Sequence, residues 1–300
     1  MPLSDQTSGH SCDRLSDATV RALVSVAGPL PERPRVLDLG RGPRRPLPEG
    51  AFDLVRAEGA ACSTGLEQAL TEWRGLLAPD GALVVAVCPG TEAQGVAAAR
   101  TAGYHVAGMR RQPAGEGAER SGCAGFVLRP ADPRWRTRPE TPADVPAVHR
   151  LNAAAFGQPD EAELVEALRA DPDAWLPGLS YVAEGPDGTV AAYALLTRCR
   201  VGDAPALALA PVAVAPGAQR RGAGRAVVRA VLDEARIRGE RLVLVLGHPA
   251  YYPAFGFVPA SRYGIRPGFE VPDEAMRALD LAGGGGLPSG VIHYPAAFGV

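Results

Sequence analysis

Leu207 to Ala235 reads L-A-L-A-P-V-A-V-A-P-G-A-Q-R-R-G-A-G-R-A-V-V-R-A-V-L-D-E-A, and after a short apolar run Gly247 to Phe257 reads G-H-P-A-Y-Y-P-A-F-G-F. Leu207, Leu209, Val212 and Val214 alternate as in a half-buried strand, which Pro216 stops. Val227, Val228, Val231, Leu232 and Ala235 then fall on one face at helical spacing. The turn between strand and helix decides the reading.

That turn is Gln219, Arg220, Arg221, Gly222, Ala223, Gly224. The first N–H groups of a helix have no internal acceptor and lie at the positive end of its dipole. A turn without bulky side chains there can take a pyrophosphate on its backbone. Gly222 and Gly224 allow the close approach, and Arg220, Arg221 and Arg225 surround it with positive charge. A solvated helix start could carry the same arginines, but their place beside both glycines favours phosphate.

A strand, a Q-x-x-G-x-G turn and a long helix resemble the acyl-CoA signature of the GNAT acyltransferase superfamily. In that family a later helix carries a tyrosine four residues before a Gly-Phe pair, and Tyr252 stands there relative to Gly256 and Phe257. The doubled tyrosine, the run Y-G-I-R-P-G-F-E-V-P-D-E-A-M from Tyr263 and H-Y-P-A-A-F from His293 look like the YhbS-like branch. The resemblance spans about Arg134 to the end. It implies an α+β fold, a central mixed sheet flanked by helices, with acetyl-CoA or another acyl-CoA as cofactor. It also implies transfer of the acyl group to a primary amine of a small molecule.

The cofactor contacts implied by the resemblance are Val212, Ala213 and Val214 on the strand. At the turn they are Gln219, Arg220, Arg221, Gly222, Ala223, Gly224 and Arg225. In the family the amide arm of the cofactor pairs with the central strand, and the amine attacks the thioester directly. A backbone N–H near Val212 to Val214 is then the natural oxyanion donor. Tyr252 is the expected acid toward the departing thiolate, with Tyr251 as the alternative because adjacent residues of a helix point about 100° apart. His248, after the strand Leu242 to Leu246, is the candidate base; Glu184, Asp203 and a water chain remain open. A non-catalytic acyl-CoA sensor is the competing reading.

Composition sets the outer limits. With 300 residues and 46% hydrophobic content the chain can bury two cores. A net charge of -2 gives no global basic field, so nucleic acid is not an expected partner. All 31 basic residues are arginine, which excludes a lysine nucleophile or base. The five cysteines are scattered without C-x-x-C spacing, so reduced thiols and no metal site are expected. The N-terminus lacks a signal pattern and no apolar run approaches the ~18 residues of a membrane span. A soluble cytoplasmic protein is expected, with a homodimer left open.

Working outward, the first half reads as a second α/β domain, 1–130, ahead of the GNAT-like 134–300. Asp17 could cap a helix, and V-L-D-L-G-R-G from Val36 is a strand followed by a glycine turn at Gly40 and Gly42. F-D-L-V from Phe52, a helical face at Leu66, Leu70, Trp73, Leu76 and Leu77, a turn at Pro79 to Gly81 and the strand A-L-V-V-A-V follow. This order resembles a class I S-adenosylmethionine-dependent methyltransferase. It is a truncated Rossmann-like version. Only R-R-P-L-P-E-G-A separates the glycine turn from F-D-L-V, and Arg44 replaces the third turn glycine. The second strand and its ribose-binding acid are therefore missing, with Glu49 and Asp53 as poor substitutes. A domain without methyl transfer is expected; a working methyltransferase with an appended GNAT domain is the alternative.

The Pro- and Arg-rich stretch 129–141 marks the boundary. Beyond it Thr141, Pro142 and Asp144 make a helix start. Phe156, Gln158, Glu161 and Trp175 are candidates for acceptor selectivity. Ser180 to Glu184 and Thr189 to Cys199 read as a hairpin, Gly283 to Gly286 as a flexible loop, and Val291 to Tyr294 as a closing strand.

Overall fold

The computed structural model describes residues 15–27, 30–39, 47–57, 65–88, 90–111 and 123–300. The chain divides into two compact units, Met1–Tyr104 with Met109–Pro130, and His105–Gly108 with Ala131–Val300.

In the first unit, strands β1 (Val36–Asp38), β2 (Phe52–Ala57), β3 (Leu77–Val87), β4 (Tyr104–Arg111) and β5 (Ala124–Pro130) form one sheet in the order β1-β2-β3-β5-β4. β1, β2 and β3 are parallel, and β5 is antiparallel to β3. Helices Asp17–Ala27 and Leu66–Arg74 form as expected, except that Ser16 rather than Asp17 caps the first, its hydroxyl accepting the Thr19 N–H at 3.1 Å; a third helix is Glu92–Thr101. The turn expected at Pro79 to Gly81 is instead a bulge inside β3. Phe52 pairs with Leu77 and Leu54 with Ala82, so the extra residues are accommodated within one strand. Gly81 is required there, since a Cβ would lie 2.8 Å from the Phe52 carbonyl oxygen. The glycine turn at Gly40 and Gly42 lies outside the described residues.

The second unit is a nine-stranded sheet. Its strands are β6 (Arg136–Pro139), β7 (Ser180–Glu184), β8 (Val190–Val201), β9 (Ala204–Val214), β10 (Leu242–Leu246), β11 (Val258–Pro259), β12 (Ile265–Arg266), β13 (Met276–Asp280) and β14 (Gly290–His293). The main order is β11-β13-β10-β9-β8-β14-β12, and β6 and β7 extend the β8 side. Helix Ala223–Ile237 covers one face. Val227, Val228, Val231 and Leu232 are buried there against Leu207, Leu209, Val243 and Val245, each side chain worth about 1.5–3 kcal/mol on burial. Helices Val145–Phe156 and Asp160–Ala170 cover part of the other face, packing on Tyr193 and Leu195. Leu242, Leu244, Met276 and Ile292 form a further core on that face.

The helix start at Thr141 is a full capping box, continuing through a 3-10 turn Pro142–Asp144 into the α-helix. The Asp144 carboxylate accepts from the Thr141 N–H at 2.8 Å and hydroxyl at 2.7 Å, and from the Arg138 guanidinium at 2.6 and 2.8 Å. These bonds, Arg138 first, hold its pKa well below the usual carboxylate range. Asp144→Ala is expected to cost about 2 kcal/mol at pH 7, a cap plus a charge-assisted hydrogen bond. Because the folded pKa is depressed, this contribution is complete above the unfolded value of about 4 and is lost progressively as pH falls from there through the much lower folded pKa. Urea titrations at pH 7 and at pH 3 check this: the gap between wild type and variant should be full at the first and narrower, but still present, at the second.

Gly283 to Gly286 is more ordered than its composition suggests. The Asp280 carboxylate accepts the N–H groups of Ala282, Gly283 and Gly285 at 2.7–3.1 Å. Among the described residues no helix is long and apolar enough to cross a membrane.

Candidate functional site

Parallel strands β9 and β10 pair only through Leu207 with Val243 and Ala208 with Leu244. Past Ala208 they part, and the β10-facing edge of β9 carries no strand up to Val214. The β8–β9 register also shifts between Ala194 and Leu196, opposite the stretch that contains Pro211. A bulge of this kind bends the strand, and proline has no N–H to offer a neighbour.

The Ala215 N–H donates to the Ala191 carbonyl at 2.9 Å, which makes the adjacent Ala192–Val214 pair one of the non-hydrogen-bonded pairs of the antiparallel ladder. By alternation Ala213 bonds to β8, while the N–H and C=O groups of Val212 and Val214 point away from it, into the gap. The Gln219 amide reaches the Val214 carbonyl at 3.4 Å.

The gap opens into a cleft of about 690 Å³ lined by Ala155, Phe156, Val212, Val214, Gln219, Arg220, Gly222, Gly224, Arg225, His248, Tyr251 and Tyr252. At its end Gly222 sits at the N-cap of helix Ala223–Ile237 with φ 99 and no side-chain cap. The first intrahelical bond runs from the Ala226 N–H to the Gly222 carbonyl at 2.9 Å. The amides of Ala223, Gly224 and Arg225 therefore have no intrahelical acceptor. Arg220 is the one non-glycine with positive φ, 57, among the described residues, a conformation that costs on the order of 1–3 kcal/mol and collects at ligand sites. Its side chain and those of Arg221 and Arg225 are exposed.

Three of the residues expected on the cofactor do not present side chains to the cleft. Ala213 turns to the opposite face, packing with Tyr193 and Leu195. Ala223 is fully buried at the first position of the helix. Arg221 contributes its carbonyl to a bond with the Trp135 indole instead.

Both tyrosines line the cleft. The helix expected to carry them is a single 3-10 turn, Tyr252–Phe255, so the argument that only one of two adjacent helical residues can face the site does not apply. Their rings meet edge-on, 5.1 Å apart at 85°. Tyr252 also packs edge-on against Phe257 at 5.6 Å, and a Cβ on Gly247 would lie 2.3 Å from its ring. Burial raises the Tyr252 pKa, with a smaller push from Tyr251, and the hydroxyl has no hydrogen-bond partner among the described residues. The Tyr251 hydroxyl lies over Gly224, where a Cβ would come within 2.9 Å of it and 3.0 Å of Val214 Cγ2. Burial pushes its pKa up to about 12, against the lowering effect of Arg225 and Arg229.

His248 lines the cleft and is exposed. Its Nδ1 accepts the Ala250 N–H at 3.2 Å, so the neutral ring presents Nε2–H, and the lone pair a base would use is already shared. Glu184 is bound to Arg138 at 2.5 Å and to Arg136 at 3.7 Å, and Asp203 is an exposed turn residue paired with Arg200. Neither lines the cleft. Of the selectivity candidates only Phe156 does; Gln158 and Glu161 bond each other, and Trp175 stacks under Arg169.

Trp135 was not singled out from sequence. Its indole N–H donates to the Arg221 carbonyl at 3.0 Å, and a Cβ on Gly222 would meet Asp132 Oδ2 at 3.3 Å and Trp135 Nε1 at 3.4 Å. The Asp132 pKa is held low by Arg134, whose guanidinium bonds it at 2.6–3.2 Å. The stretch before β6 thus braces the arginine-glycine turn. Trp135→Phe keeps an aromatic side chain, smaller than the indole, and removes one hydrogen bond worth about 1 kcal/mol. The expected result is roughly fivefold weaker acetyl-CoA binding with kcat at saturation unchanged, read by calorimetry and steady-state rates.

In the first unit Asp53 is unavailable to a ribose: its carboxylate accepts the Arg35 N–H at 2.9 Å and the Arg35 guanidinium at 3.1 Å. Glu49 lies in an exposed turn before β2. Among the described residues no cluster of His, Cys, Asp and Glu could hold a metal ion.

Comparison with known proteins agrees with this geometry. Residues 145–257 match the Acetyltransferase (GNAT) family. The uncharacterized N-acetyltransferase YjhQ of Escherichia coli is 35% identical over 137 residues, 44% of this chain and 75% of that protein. The uncharacterized N-acetyltransferase YhbS of the same species is 32% identical over 166 residues, 54% of this chain and 96% of YhbS. The crystal structure of E. coli YhbS in complex with CoA superposes with a TM-score of 0.52 at 29% identity, covering 57% of this chain and 97% of that one. A strand that parts from its neighbour beside an uncapped helix start, and relatives matched over most of their length, lead to one assignment: this chain belongs to the GNAT family of acetyltransferases.

Proposed function

We propose that the second half of the chain transfers the acetyl group of acetyl-CoA to a primary amine of a small molecule by direct attack. The observation that carries this is the continuity of the cleft, from the unpaired edge of β9 to the uncapped amides at Ala223 to Arg225. The amide-bearing arm of the cofactor would pair with the gap-facing groups of Val212 and Val214. Its pyrophosphate would lie on the helix amides, with Arg220 and Arg225 beside it. In this arrangement Ala213, Arg221 and Ala223 act through backbone or not at all.

Holding amine and thioester together removes much of the entropic cost of their encounter. The amine nitrogen forms its bond to the acetyl carbon while the carbonyl oxygen takes charge facing a β9 backbone N–H. When the C–S bond breaks, its electron pair goes to sulfur and the Tyr252 proton neutralises the thiolate. The surplus proton of the amine leaves to water, from which the Tyr252 phenolate regains its own. His248 supplies an Nε2–H donor to the cleft in its neutral form.

For the first half we propose a truncated methyltransferase-like domain without methyl transfer. The parallel run β1-β2-β3 supports the likeness, and growth from β1 in one direction only, where a doubly wound sheet grows in both, supports the truncation. The engagement of Asp53 with Arg35 speaks against a bound ribose.

Calorimetry with acetyl-CoA and with S-adenosylmethionine tests the cofactor assignments, and thiol release over an amine panel tests turnover. Micromolar acetyl-CoA binding with amine-dependent thiol release is the expected result. Binding without release from any amine would mean an acyl-CoA sensor instead.

A further inference from the structure

Among the described residues of the second unit, the exposed large apolar side chains are Phe156 at 42%, Leu246 at 47% and the terminal Val300. Phe156 ends the helix Val145–Phe156 and lines the cleft with Val212 and Val214. Leu246 is the last residue of β10, two positions before the lining residue His248.

Strand alternation places them on one side. Val243 and Val245 point to helix Ala223–Ile237, the helix that begins at the arginine-glycine turn. Leu242 and Leu244 point to the other face with Met276 and Ala278, and Leu246 follows them, opposite Met276 in register. Helix Val145–Phe156 packs on that same face. Its Val148 and Leu151 bury Tyr193 and Leu195 of β8, which lie in line with Cys199 and Val201 of the Leu244 cluster. The unpaired stretch of β9 runs between the ends carrying Phe156 and Leu246. The uncapped amides approach this gap from one face; on the other, Phe156 lines it and Leu246, at the end of the strand that parts from β9, points to the same side.

We propose that Phe156 and Leu246 flank the acceptor's entry, and that the acceptor is a primary amine carrying an apolar group, aromatic or branched aliphatic. This rests on the acetyltransferase reading above. Half-exposed Phe and Leu would be covered only when that group is seated, so burial discriminates in favour of amines that carry one. A small polar amine gains nothing from them.

The test separates the two levels. Calorimetry with acetyl-CoA alone is done first: failure to bind overturns the acetyltransferase reading, and this inference with it. Rates with phenylethylamine and ethanolamine, two primary amines differing in apolar bulk, then follow. Phenylethylamine should have the higher kcat/KM by at least about tenfold, the range an apolar pocket commands. Leu246→Ser, a change at an exposed position, should cut that preference about fivefold by raising the KM for phenylethylamine. Its acetyl-CoA Kd should stay within about twofold of wild type. Equal or better use of ethanolamine, an unchanged ratio in Leu246→Ser, or acetylation of neither amine by protein that binds acetyl-CoA overturns the inference. So does a loss confined to acetyl-CoA affinity, which would put Leu246 under the cofactor.

Discussion

Gly222→Asp is expected to weaken acetyl-CoA binding by at least about a hundredfold, while Gly222→Asn loses about tenfold or less. Gly222 has φ 99 and an ideal Cβ there would meet Asp132 Oδ2 at 3.3 Å, so any side chain brings some strain. Asn and Asp share size and a tolerance for left-handed backbone. The difference between them is charge. A carboxylate about 4 Å from a pyrophosphate charge is disfavoured by about 4 kcal/mol at an effective dielectric of 20, and solvent at the open turn reduces this. A hundredfold loss needs about 2.7 kcal/mol. The Asp variant also places a second carboxylate beside Asp132, whose own charge is answered by Arg134. Calorimetry on both variants, with thermal melts to establish that each is folded, gives the comparison. Equal affinities for the two would mean that the phosphates do not lie on this turn.

The elements that build this site were legible because they are local. Leu207 to Val214 alternates, and the helix from Ala223 repeats its apolar positions at one-turn spacing, so strand, turn and helix follow from neighbours in sequence. Thr141, Pro142 and Asp144 gave the helix start for the same reason. What spacing could not show were partners brought together by the fold. Trp135 and Arg221 are 86 positions apart, and Arg138 and Glu184 are 46 apart. No periodicity connects either pair. The Pro79 to Gly81 bulge was misread because proline and glycine mark turns and bulges alike, and the register with Phe52 decides between them. The tyrosine pair was misjudged through its assumed helix. With Tyr251 capping a 3-10 turn that contains Pro253 and ends at Gly256, both rings reach the cleft.

Gly224 shows how the same residue type answers two demands. In sequence it reads as room for a phosphate. In the fold its missing side chain is also the seat of the Tyr251 hydroxyl and of Val214 Cγ2. The helix start, the central strand and the tyrosine turn therefore meet at one atom's width, which fixes the distance between the proposed phosphate site and the proposed acid. Gly247 does the same for Tyr252, whose ring takes the place of a Cβ.

That seating makes Tyr252→Phe a clean substitution. The ring keeps its contacts with Tyr251, Phe255 and Phe257, and the hydroxyl it loses has no hydrogen bond among the described residues. Stability and acetyl-CoA Kd are therefore expected to stay near wild type. Turnover should fall about 10²- to 10⁴-fold, the range a positioned general acid contributes. Burial holds the Tyr252 pKa above its ordinary value of about 10, so the hydroxyl stays protonated through neutral and mildly alkaline pH. It therefore carries its proton when the thiolate departs, and in that form it is no base toward the amine. The rate of the wild type should accordingly not decline between pH 8 and about 10 through loss of this acid. Tyr251→Phe is the control. Its hydroxyl lies over Gly224 at the phosphate end, so its loss should register in acetyl-CoA affinity more than in kcat. A Tyr252→Phe enzyme with full turnover when chemistry limits the rate, or a kcat defect that falls on Tyr251→Phe alone, would transfer the acid role from Tyr252 to its neighbour or to water.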